Sequence, residues 1–151
     1  MKLFLAVVLA ILTVASGHGA GGIRCQSIGL KNFFGKFVQV HADGTAANGN
    51  SLRGWETIKV IPMGGKVALK SYFNKLLSAQ PSGKAEWNRT VAKGWETFEV
   101  KRVGDKVAFK SFFGKYLSAQ PNGSLQANRN SIKGWELFEV YPRGCLASWG
   151  H

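Results

Sequence analysis

Groups able to transfer protons, attack carbonyls or hold metals are scarce in this chain of 151 residues. Histidine occurs only at His18, His41 and His151, in no ligand-spacing pattern. His18 would chelate copper only with a free amine of its own, and His41 falls in a polar turn beside Asp43 and Gly44, where solvation is the expectation. Asp and Glu together number 8, and three of them, Glu56, Glu96 and Glu136, recur at a fixed spacing after Gly-Trp. Such recurrence favours a structural role over a single active site. No acid–base pair, activated nucleophile or metal cluster is assembled by spacing, so the expectation is a non-enzyme with no catalytic residue, metal or cofactor.

The chemistry that does recur is basic and aromatic. Phe33-Phe34-Gly35-Lys36, Tyr72-Phe73-Asn74-Lys75 and Phe112-Phe113-Gly114-Lys115 are three versions of one turn, preceded by Lys31, Lys70 and Lys110. A further basic residue, Arg53, Lys93 or Lys133, stands before each Gly-Trp. Lys and Arg total 20, for a formal net charge of +12, which favours a polyanionic partner. Strand alternation lets at most one ring of each aromatic pair face a core. The other ring either packs on a neighbouring loop or stands as a tip beside lysine, a surface suited to glycans or lipid headgroups. The candidate ligand-binding set is Lys31, Lys36, Lys70, Lys75, Lys110 and Lys115 with Phe33, Tyr72 and Phe112, and Lys101, Arg102 and Lys106 add positive charge nearby. Trp55, Trp95 and Trp135 invite a sugar-stacking reading, yet each is expected to open a strand and to pack at the core or rim. Trp87 and Trp149 recur nowhere and read as a ligand platform or a cover over one end of the fold.

The amino terminus decides the compartment. Lys2 is followed by an apolar run over 3–14 and then by small residues, the pattern of a secretory signal peptide (1–17) with cleavage after Gly17, or after Ala15 as the alternative. That run is shorter than the ~20 residues of a spanning helix, and no transmembrane segment is expected. Secretion makes Cys25 and Cys145 disulfide candidates. It also brings Asn88 and Asn122, each in an Asn-X-Ser/Thr sequon, into play as glycosylation acceptors. An extracellular address makes nucleic acid a poor partner compared with acidic polysaccharide or another anionic surface.

Positioning these residues falls to an internal repeat. Lys66-Val67-Ala68-Leu69-Lys70-Ser71 returns 40 residues later as Lys106-Val107-Ala108-Phe109-Lys110-Ser111, and Gly-Trp-Glu occurs at 54, 94 and 134. Units over 27–65, 66–105 and 106–143 fill the chain between a segment at 18–26 and one at 144–151. In the third unit, 107–111, 116–120, 124–128 and 135–140 read as strands, with Pro121-Asn122-Gly123 supplying turn chemistry. Four strands per unit make twelve in an all-β fold, and 45% hydrophobic residues suffice for one core.

Val-Ala-Leu-Lys-Ser, Gly-Lys-Tyr-Leu-Ser-Ala and Trp-Glu-x-Phe-Glu-Val, in register over nearly the whole mature chain, resemble the fascin-like family of β-trefoils. The resemblance implies a six-stranded barrel capped by three hairpins about a pseudo-threefold axis. Threefold closure would set Cys145, which follows the third unit, beside Cys25, which precedes the first. A bridge closing so long a loop is worth roughly 4 to 5 kcal/mol. The glutamine-x-tryptophan signature of ricin-type lectins is absent. The family is known for binding actin filaments, which implies actin as a partner for a cytosolic protein. For an exported one, the expectation is a binding module for sulfated or acidic glycan, with a cationic host-defence or membrane-active role as the alternative.

Overall fold

The structure, a computed structural model, describes residues 25–148, so the expected signal peptide, His18, Trp149 and His151 lie outside the described residues. Twelve strands run in sets of four: β1 (Ser27–Lys31), β2 (Phe37–Val40), β3 (Ala46–Gly49) and β4 (Ile58–Met63); β5 (Lys66–Lys70), β6 (Leu76–Ala79), β7 (Ala85–Arg89) and β8 (Glu99–Val103); β9 (Lys106–Lys110), β10 (Tyr116–Ala119), β11 (Leu125–Arg129) and β12 (Glu139–Tyr141). The first and last strands of each set pair with one another, through Ile28 and Ile58, Val67 and Phe98, and Val107 and Phe138. Successive sets join by β4 with β5 and β8 with β9, and β12 returns to β1 with Leu30 opposite Val140. Six strands thereby close into a barrel with no unpaired barrel edge. The other six pair as the hairpins β2–β3, β6–β7 and β10–β11. This is a β-trefoil.

Apolar side chains at threefold-equivalent positions fill the barrel. Leu30, Leu69 and Phe109, then Ile58, Phe98 and Phe138, then Val38, Leu77 and Leu117, are all buried. Each such burial contributes roughly 1.5–3 kcal/mol. The hairpins dock cyclically: the Trp87 N–H donates to the Gly44 carbonyl at 3.1 Å, the Ala127 N–H to Gly83 at 2.7 Å, and Asn48 Nδ2 to the Pro121 carbonyl at 2.9 Å. Glycine is required at the closest of these approaches. A Cβ on Gly123, whose φ is +90°, would lie 2.3 Å from the Asn48 nitrogen.

Three expectations need correction. Trp55, Trp95 and Trp135 do not open strands: Gly54–Glu56, Gly94–Glu96 and Gly134–Glu136 are single 3-10 turns. The cause is the following glutamate, whose carboxylate bends back to accept the backbone N–H three residues earlier, at 3.0, 2.9 and 2.8 Å from Arg53, Lys93 and Lys133. Trp87 is no ligand platform but a core side chain, filling opposite Leu77 the position that Asn48 holds opposite Val38 and Ala127 opposite Leu117. His41 is half-buried, not merely solvated: its Nε2 lies 2.8 Å from Gln39 Oε1, and its ring centroid is 5.4 Å from that of Trp55. Cys25 and Cys145 are joined, with Cα atoms 5.3 Å apart and a sequence separation of 120.

Candidate functional site

Each aromatic turn is pinned from within. Asn32 Oδ1 accepts the backbone N–H groups of Phe34 and Lys36, both at 3.0 Å. Ser71 Oγ does the same for Phe73 and Lys75, and Ser111 Oγ for Phe113 and Lys115. The residue before each lysine, Gly35, Asn74 or Gly114, has a φ of +75°, +62° or +76°, which reverses the chain in the left-handed region. The paired aromatics therefore ride on a rigid turn.

Neither ring of a pair enters the core. The second ring packs against the tryptophan of the preceding repeat, with centroid distances of 5.6 Å for Phe34 and Trp135, 5.9 Å for Phe73 and Trp55, and 5.7 Å for Phe113 and Trp95. The first ring stands edge-on to the second and lies over the glycine of the same Gly-Trp-Glu turn. A Cβ built on Gly134 would meet the Phe33 ring at 2.7 Å, one on Gly94 the Phe112 ring at 3.0 Å, and one on Gly54 the Tyr72 ring at 3.2 Å. Even so, Phe33, Tyr72 and Phe112 remain 60%, 59% and 59% exposed. The two sequence-level possibilities are thus both realised: each outer ring packs on a neighbouring loop by one edge and stays open to solvent over most of its surface.

Cations surround these rings. Arg129 stacks over Trp135 and Arg89 over Trp95, at 5.9 and 6.0 Å from the ring centroids. Of the six candidate lysines, Lys31 faces the Phe37 and Tyr141 rings and Lys110 faces Tyr116. Lys36 Nζ donates to Asn50 Oδ1 at 2.7 Å, and Lys115 Nζ donates to Asn130 Oδ1. Lys70 ends β5 opposite Lys59, a like-charge pair, and Lys75 flanks the Tyr72 turn. Among the described residues only Lys84, Lys101, Arg129 and Arg143 take part in ion pairs, so most of the positive charge is uncompensated.

At the third junction the arrangement forms an open cleft of about 540 Å³ lined by Phe33, Trp135, Arg129, Lys133, Asn130 and Ser131, among others. Its counterpart at the first junction, lined by Gln39, Arg53, Trp55, Glu56 and Tyr72, measures about 340 Å³. Arg89, Arg129, Asn130 and Ser131 went unremarked in the sequence reading. The usable signal was their position, 40 residues apart or directly adjoining, just ahead of a recurrent tryptophan.

The three glutamates are buried, Glu56 and Glu136 in the lining of the two clefts. Besides the turn N–H, Glu56 accepts from Gln39 Nε2 at 2.6 Å and Glu96 from Ser78 Oγ at 2.7 Å, while Glu136 lies 3.9 Å from Arg129 Nε. Resolved pKa shifts belong to surface groups elsewhere. The Asp43 carboxyl is held below its ordinary value by hydrogen bonds from the Thr45 hydroxyl and backbone N–H, and the Glu99 carboxyl by its hydrogen bond with Lys101. The sequon residues Asn88 and Asn122 are both exposed.

A trefoil whose repeat junctions each present an open ring beside cations is the build of a binding module. The chain belongs to the fascin family, whose Fascin domain matches residues 45–140. Comparison with curated proteins gave no match. Among solved structures the chain is similar to the designed threefold-symmetric protein ThreeFoil, with a TM-score of 0.67, 13% identity, and coverage of 76% of this chain and 97% of that one. It is similar also to the GlcNAcα1-4Gal-releasing endo-β-galactosidase from Clostridium perfringens (TM-score 0.66, 14% identity, 76% of this chain and 31% of that one). A third similar structure is Cry35Ab1 (TM-score 0.64, 14% identity, 76% of this chain and 35% of that one). The chain spans about a third of the length of these last two. At such identities the likeness concerns the fold.

Proposed function

We propose that the protein is a secreted, non-catalytic module that binds an extracellular polyanion, a sulfated or acidic glycan. The observation that carries this reading is a largely exposed ring beside basic side chains at each junction between repeats: Tyr72 with Arg53 at the first, Phe112 with Arg89 and Lys93 at the second, and Phe33 with Arg129 and Lys133 at the third. A ring face contributes contact with the apolar face of a sugar, which salt does not screen, and clustered cations add an attraction that salt weakens. The disulfide is compatible with secretion, and among the described residues no helix is long and apolar enough to cross a membrane.

Retention on a heparin matrix tests the reading. The protein should resist elution by sodium chloride more strongly there than on a simple cation exchanger. Replacing Lys36, Lys75 and Lys115 together with alanine should remove most of that difference while the melting temperature holds. Co-elution from both matrices would defeat the proposal, and loss of binding only on neutralising Lys101, Arg102 and Lys106 would move the site to the β8–β9 hairpin. Family membership favours one second reading, attachment to actin filaments. Co-sedimentation with filaments at physiological salt checks it, and leakage from anionic vesicles checks the membrane-active alternative.

A further inference from the structure

The three junctions share a backbone but not a chemistry. We infer that the third junction, between the Phe33 turn and Gly134–Glu136, is the principal subsite and takes one anionic sugar unit, the anion on Arg129 and the ring on Phe33. This rests on the glycan reading above and adds to it a location, an inequality and a ligand class.

The inequality lies in three consecutive positions. Where the third repeat carries Arg129-Asn130-Ser131, the second carries Arg89-Thr90-Val91 and the first Gly49-Asn50-Ser51. Only the third combines a guanidinium stacked on the tryptophan with two polar side chains beside it. At the second junction the place of Ser131 is taken by Val91, which is exposed and offers no hydrogen bond. At the first, Gly49 stands where the arginine would be, Arg53 has no stacking contact on Trp55 among the described residues, and Trp55 has the Phe73 and His41 rings as neighbours.

Hydrogen-bonding capacity fixes the sign of the ligand. Glu136, the carboxylate in the cleft, is buried, and one of its oxygens already accepts the Lys133 N–H. Asn130 Oδ1 accepts from Lys115, and both of its amide N–H donors are open to a ligand. Asn128 spends an amide donor on Gln126 at 3.1 Å, which leaves its carbonyl to accept a hydroxyl. Arg129 Nε is buried beside Glu136 without a hydrogen bond, while the side chain as a whole is 41% exposed. The accessible part of the side chain therefore includes the outer guanidinium, whose planar fork suits a sulfate or a carboxylate. Phe33 also lines a second cleft of about 510 Å³, where Lys31 and Lys106 outnumber one carboxylate, Glu139, which is itself paired with Arg143 at 3.7 Å. One open ring with cations in both of its clefts matches a charged pyranose better than a neutral one.

Calorimetric titration with four defined tetrasaccharides tests the inference: heparin (sulfate and carboxylate), keratan sulfate (sulfate only), hyaluronan (carboxylate only) and chitotetraose (neutral). Arg129→Gly, which copies Gly49 of the first repeat, should weaken binding of the preferred anionic tetrasaccharide at least tenfold, whereas Arg89→Gly, at the lesser second junction, should weaken it by no more than about threefold. The pair N130T/S131V, copying the second repeat, should lose threefold or more. Arg129→Lys, which keeps charge but not the fork, should fall between parent and Arg129→Gly, and it provides a folded variant should the glycine substitution destabilise the turn. Keratan sulfate or hyaluronan, whichever binds, identifies the anion as sulfate or carboxylate. Equal losses in the Arg89 and Arg129 variants, or chitotetraose binding as tightly as the anionic probes, would overturn the inference. If heparin binds and the triple lysine variant loses it while Arg129→Gly does not, the glycan reading stands and the third-junction assignment falls. If the parent binds none of the four, both fall together.

Discussion

Opening the bridge between Cys25 and Cys145 is the most quantitative perturbation the structure offers. The cross-link closes a loop of 120 residues, nearly all of the described chain. In the chain-entropy relation a loop of this length lowers the entropy of the unfolded ensemble by about 16 cal/mol/K, or about 5 kcal/mol at 25 °C. A domain of this size has a total stability of roughly 5–15 kcal/mol, so the loss takes a third of it or more. The ends are also held by pairing of β1 with β12 over Gly29 to Lys31, which keeps the reduced protein foldable without restoring the missing entropy. Urea unfolding of oxidised protein, of reduced protein and of the double alanine variant at Cys25 and Cys145 measures the effect. With a slope of roughly 1.5 kcal/mol per molar urea, the midpoint should fall by about 3 M on reduction. The double variant should fall further, because Cys145 is packed in the core and its sulfur leaves a void. A reduced midpoint within about 0.7 M of the oxidised one would refute the reasoning, since the pairing of β1 with β12 would then be confining the ends in the unfolded ensemble as well.

Two further outcomes follow from close approaches and buried groups. Gly134→Ala places a Cβ 2.7 Å from the Phe33 ring, which can swing outward, so stability should fall by less than about 1 kcal/mol while heparin retention drops; Gly123→Ala meets backbone at 2.3 Å and should cost about 3 kcal/mol or more in urea unfolding. Equal stability losses in the two variants would contradict the distinction between a yielding ring and an unyielding backbone. Glu96→Ala leaves the Lys93 N–H and the Ser78 hydroxyl without their acceptor, and thermal unfolding should show a loss of about 1–3 kcal/mol with a changed near-ultraviolet signal from Trp95. A wild-type melting temperature would remove the glutamate from its structural role.

What the sequence made legible was whatever repeats. Copies of Val-Ala-x-Lys-Ser and Gly-Trp-Glu set the number of strands and the closure of the barrel, because a unit of two hairpins has no other way to bury Leu69 or Phe109. The location of the bridge followed from the same closure. Less legible was the conformation around Gly-Trp-Glu: alternation through Thr97, Phe98 and Val100 resembles a strand from its first residue. Only the reach of a glutamate side chain back to the amide of Lys93 turns that start into a 3-10 turn. Arginine at 89 and 129 was hidden for the opposite reason. The equivalent position in the first repeat is Gly49, so the arginine is not a threefold-recurrent residue, although stacking on tryptophan is what shapes the cleft.

That difference between recurrent and non-recurrent positions separates stability from recognition along physical lines. Leu30, Leu69 and Phe109 face a common interior, where a change in one is felt by the others through packing. Positions 49, 89 and 129 each face only their own tryptophan turn. Glycine at 49 shows what the site tolerates: a Cβ there would sit 2.5 Å from Glu56 Oε2, so this carboxylate occupies space that a side chain would need, and Trp55 is left 46% exposed. The turn survives because its retaining bond, from the Arg53 N–H to Glu56, does not involve residue 49. A junction can therefore lose or gain an arginine without loss of the glutamate clasp that forms its turn. Threefold symmetry is enforced inside the barrel, where burial couples the repeats, and is relaxed at the junctions, where each aromatic turn and its neighbouring tryptophan form a separate unit able to acquire its own ligand chemistry.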